Sequence, residues 1–106
     1  MIDLIREVRT TVDAEMARAQ DVHGLHYASA HEGYGVLAEE MYEAETETIH
    51  LGAIKNWLMN ALHADDPDQM VDVLDELAEH ATLAACEYIQ VAAVAQKMID
   101  TIRTVR

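Results

Sequence analysis

Acidic residues fall in two places where helical spacing would concentrate them. Glu39-Glu40-Met41-Tyr42-Glu43 and then Glu47 form one group, and Glu87, followed by Gln90, forms the other. An α-helix turns about 100° per residue, so positions three, four and seven apart share a face. Glu40, Glu43 and Glu47 therefore lie on one stripe. The rest of that stripe is Gly33, Val36, Leu37, Ala44, Leu51, Ile54, Leu58, Ala61 and Leu62, all apolar or glycine. Leu83, Ala84, Glu87, Val91, Val94, Met98, Ile102 and Val105 repeat the pattern, with His80 one repeat earlier and Gln90 at the edge. Ionised carboxylates sharing a dry interior cost several kcal/mol each and repel one another. A hard cation such as Mg²⁺ would offset that cost, taking carboxylate oxygens and leaving the rest of its shell to water or phosphate. Two other arrangements remain open from spacing alone. The groove could be wet, or Arg6, Arg9 or Arg18 could pair with these acids.

The elements that must position these groups are helices. The fold class expected is all-α, a single domain over residues 1–106, with one shorter helix and two long antiparallel helices in a bundle. Ile2, Ile5, Val8, Val12, Met16 and Ala19 step by three or four, predicting a first helix over about 3–20 that stops before Gly24. Ser29-Ala30-His31-Glu32 is a capping box, predicting a second helix over 30–63. Asp66-Pro67-Asp68-Gln69 places a cap, a first-turn proline and a third-position glutamine, predicting a third helix over 67–104. The link 64–66 is so short that the two long helices must be antiparallel neighbours. Glu40 and Glu43 would then face Glu87. Three helices of this length leave apolar faces uncovered, so the core is expected to be completed by dimerisation.

The formal net charge of −13 argues against a nucleic-acid backbone or an anionic membrane as partner, since both need clustered Lys and Arg. It leaves room for a nucleotide carried with a divalent metal. The lone Cys86 has small or apolar neighbours and reads as a buried hydrophobe in a reducing compartment. With no signal peptide and no apolar run of membrane-spanning length, the chain is expected to be cytoplasmic.

Glu39-Glu40-Met41-Tyr42-Glu43 also resembles the E-E-x-x-E element of the all-α nucleoside triphosphate pyrophosphohydrolases, the MazG-like superfamily. The preceding Ser29 to Leu37 and the later Glu87-Tyr88-Ile89-Gln90-Val91-Ala92-Ala93 are similar to segments of small phage and prophage members. The resemblance spans about Ser29 to Met98, with a poorly matched middle. It implies Mg²⁺-dependent (Mn²⁺ possible) hydrolysis of nucleoside or deoxynucleoside triphosphates to monophosphate and pyrophosphate, by a homodimer or tetramer. By position it implies Glu40, Glu43 and Glu87 as metal ligands with Gln90 at the remaining ligand position, Glu39 as a ligand or a water-orienting base, and Glu43 as a further catalytic group. The second family motif is E-x-x-D, whereas Gln90 stands at its last position here. A glutamine can ligate through its oxygen but carries no charge and cannot act as base. The alternative is therefore a non-catalytic helical nucleotide- or protein-binding module on the same scaffold.

His31, with Tyr34, and Lys97 are candidates for substrate binding. The competing readings are packing at a helix start for His31 and a surface lysine near a helix end for Lys97. Glu47-Thr48-Ile49-His50 has the E-x-x-H spacing of di-iron bundles, but those need two such pairs and two further glutamates. Only one pair occurs, with His50 expected to point away from the glutamate stripe. Trp57 and Met59 are expected to cover core or dimer surface.

Overall fold

A computed structural model describes residues 1–105, without the side chain of Val105. The placing of Val105 on the apolar stripe and the last position of the domain, Arg106, lie outside the described part. The described chain is three α-helices: α1 (Ile2–His23), α2 (Ala30–His63) and α3 (Pro67–Val105). α2 has the expected bounds, α3 runs one residue further than expected, and α1 starts one residue earlier and runs three residues further than its apolar periodicity indicated.

Local chemistry fixes each boundary. Gly24 ends α1 with φ 93°, a conformation that costs glycine little, and its N–H donates to the Gln20 carbonyl at 2.9 Å. Ser29 caps α2, its hydroxyl accepting from the Glu32 N–H at 3.1 Å. The Glu32 carboxylate reaches back to the Ala28 N–H at 3.4 Å, one residue before the cap position of a standard capping box. Asp66 caps α3 by accepting from the Gln69 N–H at 3.2 Å. Asp65 absorbs the left-handed turn between the long helices with φ 51°, a region Asp tolerates better than most residues.

The three-residue link folds α3 back along α2, and α1 packs on α3 rather than on α2. The molecule measures 59 × 29 × 22 Å, its long dimension set by α3. The α2–α3 seam buries Ala44, Ile54, Ala61, Val73 and Ala84, and Ala93 is buried elsewhere on α3. Alanines dominate that seam and let the backbones approach closely. Ile54 is its largest fully enclosed side chain. Ile54→Ala should therefore cost about 2–5 kcal/mol, measured as a fall in unfolding midpoint in urea at unchanged slope. A loss under ~1 kcal/mol would mean that the seam collapses around the gap.

The connector between α1 and α2 is pinned to the far end of α3. The Tyr27 N–H donates to the Thr101 hydroxyl at 3.0 Å, and that hydroxyl donates to the Lys97 carbonyl at 2.9 Å. Gly33 lies beneath this crossing. A Cβ there would stand 2.7 Å from Met98 Cγ and 3.0 Å from the Tyr27 ring, so the first turn of α2 fits only without a side chain.

One expectation about burial is corrected: Cys86 is exposed. Trp57 and Met59 are exposed as well, so they do not line the core of the single chain. No described helix is long and apolar enough to cross a membrane.

Candidate metal centre and adjoining cleft

The antiparallel seam brings Glu40 and Glu43 of α2 against Glu87 of α3. One carboxylate oxygen from each lies within 4.8 Å of the other two. Glu40 and Glu87 are half-buried and Glu43 is exposed. Burial, then the charges of Glu43, Glu87 and Glu39, push the Glu40 carboxyl above its ordinary value. Burial also raises Glu87, followed by the charge of Glu43, a hydrogen bond with it, and the charge of Glu47. Among the described residues no Lys or Arg pairs with these acids. Arg18 pairs with Glu15 in its own helix, and Arg6 and Arg9 make no ion pair among the described residues. The cluster is thus a set of hard oxygen donors with uncompensated charge, which suits Mg²⁺ or Mn²⁺.

The raised values predict a pH effect on the apo protein. In the folded state Glu40 and Glu87 hold their protons to higher pH than the ordinary 4.5. Their contribution to stability is present below that value and lost as pH rises through the raised folded values. In EDTA, the wild-type melting temperature should therefore fall more steeply than that of Glu40→Gln as pH rises from about 4.5. Parallel curves would contradict the assigned coupling.

Glu40 also lines a cleft of about 560 Å³ between α1, the connector, α2 and α3, a size in the small-ligand range. Lys97 enters it from α3. This lysine is only 5 % exposed, which corrects the surface reading. The cause is the connector, which lays the Tyr27 ring 4.4 Å from the Lys97 ammonium. Lys97 makes no ion pair among the described residues. Tyr27 has its phenol pushed up by burial and by the charges of Glu40 and Glu32.

Gln90 lines the same cleft and donates its amide N–H to Glu15 at 2.8 Å. Its carbonyl oxygen is the atom left to serve a ligand. Hydrogen bonds from Arg18 and then Gln90 hold the Glu15 carboxyl below its ordinary value. Sequence reasoning gave α1 no site residue, yet Glu15 and Arg18 both line the cleft. A signal was present, because Glu15 lies seven residues after Val8 and four before Ala19, on the stripe that packs against α3. Gln90→Glu would set a carboxylate against Glu15. It should lower the melting temperature in EDTA and regain part of the loss with Mg²⁺, as differential scanning fluorimetry would show. A rise in EDTA would contradict the Gln90–Glu15 contact.

Two predicted residues are not brought together with the rest. Glu39 is exposed and outside the carboxylate cluster, one position round the helix from Glu40. His31 is exposed in the first turn of α2, and Glu32 and Tyr27 line the cleft in its place. No protein-family model, curated protein or solved structure matches the chain.

Proposed function

We propose that the chain is a Mg²⁺-dependent pyrophosphohydrolase of nucleoside or deoxynucleoside triphosphates, of the MazG-like kind and related to small phage members. The observation that carries this reading is a cluster of three carboxylates opening, through Glu40, onto a cleft that holds the buried cation Lys97. Acidic ligands alone would repel a triphosphate, and a lysine alone would not need them. Together they suit a metal–polyphosphate complex.

Glu40, Glu43 and Glu87 would hold Mg²⁺ or Mn²⁺, with the Gln90 carbonyl oxygen as a further donor. When bound, the ion supplies positive charge against the negative charge that develops on the phosphates. The chain's own groups do the rest. Lys97 and Arg18 meet phosphate oxygens at the cleft wall. Val36 and Val94 give apolar surface to the nucleoside. Glu43, the most exposed acid of the three, orients a water and accepts its proton. The water oxygen bonds to the α-phosphorus, the bond from that phosphorus to the bridging oxygen breaks, and pyrophosphate leaves. Glu39 is displaced from this role by its position.

A second reading, a nucleotide-binding module without turnover, is favoured by the Gln90–Glu15 hydrogen bond. It leaves the second motif with one acid, Glu87. Incubating the protein with canonical triphosphates and Mg²⁺ or Mn²⁺ separates the two. The hydrolase reading expects equal yields of monophosphate and pyrophosphate. Binding without product supports the module.

We place the protein in the cytoplasm as a homodimer or a tetramer. Ile2, Leu4, Ile5 and Val8 along α1 remain 40–70 % exposed, and a second copy would cover them. Light scattering should give at least twice the chain mass of 11.8 kDa. A monomer at micromolar concentration would remove this part of the proposal.

A further inference from the structure

One turn beyond the carboxylate cluster, the same seam holds a second group of donors with different chemistry. Glu47 and His50 come from α2 and His80 from α3, and one ligand atom of each lies within 4.8 Å of the others. His80 Nδ1 stands 3.1 Å from Glu47 Oε2. The His50 and His80 rings face each other, 4.4 Å between centroids and tilted by 30°. This overturns the expectation that His50 points away. Three residues after Glu47 it is only about 60° round the helix, and the second imidazole comes from the facing helix rather than from a second E-x-x-H pair.

We propose that Glu47, His50 and His80 form a binding site for a borderline transition-metal ion of the Zn²⁺ and Co²⁺ class, separate from the carboxylate centre. Two imidazoles and one carboxylate are the donor set such ions prefer, whereas Mg²⁺ prefers oxygen alone. Bonds of about 2.0–2.2 Å to Zn²⁺ leave neighbouring ligand atoms roughly 3–3.5 Å apart. Glu47 and His80 already stand at that separation, so the site closes mainly by turning His50, which is exposed and free to move. Three protein ligands leave a coordination position open to water or a small anion. The ion would clip α2 to α3 at mid-length. Glu43 to Glu47 is about 6 Å of helix rise and His80 to Glu87 roughly 10 Å. Both exceed the spacing of about 3.5–4 Å in paired two-metal sites, so the two centres are separate sites and not one bridged pair, with the Glu47 charge still felt at Glu87.

The inference does not rest on the triphosphate reading, and its test uses no turnover. Co²⁺ is titrated into the metal-free full chain carrying Glu40→Gln, which weakens the carboxylate centre, and visible absorption is followed. The expected result is a saturable band of imidazole-ligated cobalt, and a rise in melting temperature with Zn²⁺. Adding His50→Ala or His80→Ala should weaken binding at least tenfold, since even outer-shell changes typically cost 10–100-fold. Circular dichroism in EDTA confirms that each variant is folded. His50 is exposed, so His50→Ala alone decides the matter if His80→Ala does not fold. Absence of the band, or a band and thermal gain indifferent to both histidines, would overturn the site. The three side chains would then be a hydrogen-bonded pair and a ring stack only.

Discussion

Glu43→Gln should lower the rate of pyrophosphate release by about 10²–10⁴-fold, the range lost when a positioned general base is removed. The amide is nearly the same size and remains in the seam, but it cannot take a proton. Because Glu43 is exposed at the mouth of the cluster, the variant should fold as wild type does. Lys97→Met should act differently. It keeps the length of the chain beneath Tyr27 and removes the charge, so KM for the triphosphate should rise more than kcat falls. Steady-state assays of both variants would check the split. A Glu43→Gln enzyme within threefold of wild type would remove Glu43 as the base.

Glu40→Gln should shift stability in opposite directions with and without metal. In EDTA the substitution removes one of three mutually repelling carboxylates. Like charges one turn apart cost about 0.2–0.5 kcal/mol each, and Glu40 faces Glu87 as well as Glu43, so a gain of several tenths of a kcal/mol is expected. With metal the order reverses. An ion held at about 100 times its dissociation constant adds roughly 2.7 kcal/mol to the wild type by mass action. At about 4–8 °C per kcal/mol for a chain of this size, that is a rise of some 10–20 °C. The variant should lose most of it. Melting curves at one protein concentration, in EDTA and in saturating Mg²⁺ or Mn²⁺, would show the crossover. A variant less stable than wild type in EDTA would mean that Glu40 supports the fold rather than a metal.

Much of this arrangement was legible in the residue order. Ser29, Asp66 and Pro67 mark the starts of the long helices, and the short link 64–66 leaves an antiparallel pair as its consequence. Given that pair, the spacing of Glu40, Glu43 and Glu87 within apolar stripes already places them face to face. What escaped reading depends on contacts between elements. Lys97 looks like a surface lysine on α3 alone, and only the return of the connector places Tyr27 over it. The Glu15–Gln90 hydrogen bond spans 75 residues and requires the register of α1 on α3, which no local pattern fixes. His50 seemed isolated because its partner, His80, belongs to the facing helix. Cys86 follows Ala84 and Ala85 in an alanine-rich stretch of α3, and those small apolar neighbours masked the exposure of its own face of the helix.

The most direct test of the metal centre is Mn²⁺ binding followed by electron paramagnetic resonance, in which the free ion gives a strong signal that weakens on binding. Wild-type protein should remove free Mn²⁺ saturably. Mg²⁺ should compete for the same site, and Glu40→Gln and Glu87→Gln should each weaken binding at least tenfold, as expected for loss of a direct ligand. Binding of equal strength in the wild type and both variants would contradict the account and leave the three glutamates as a wet acidic face.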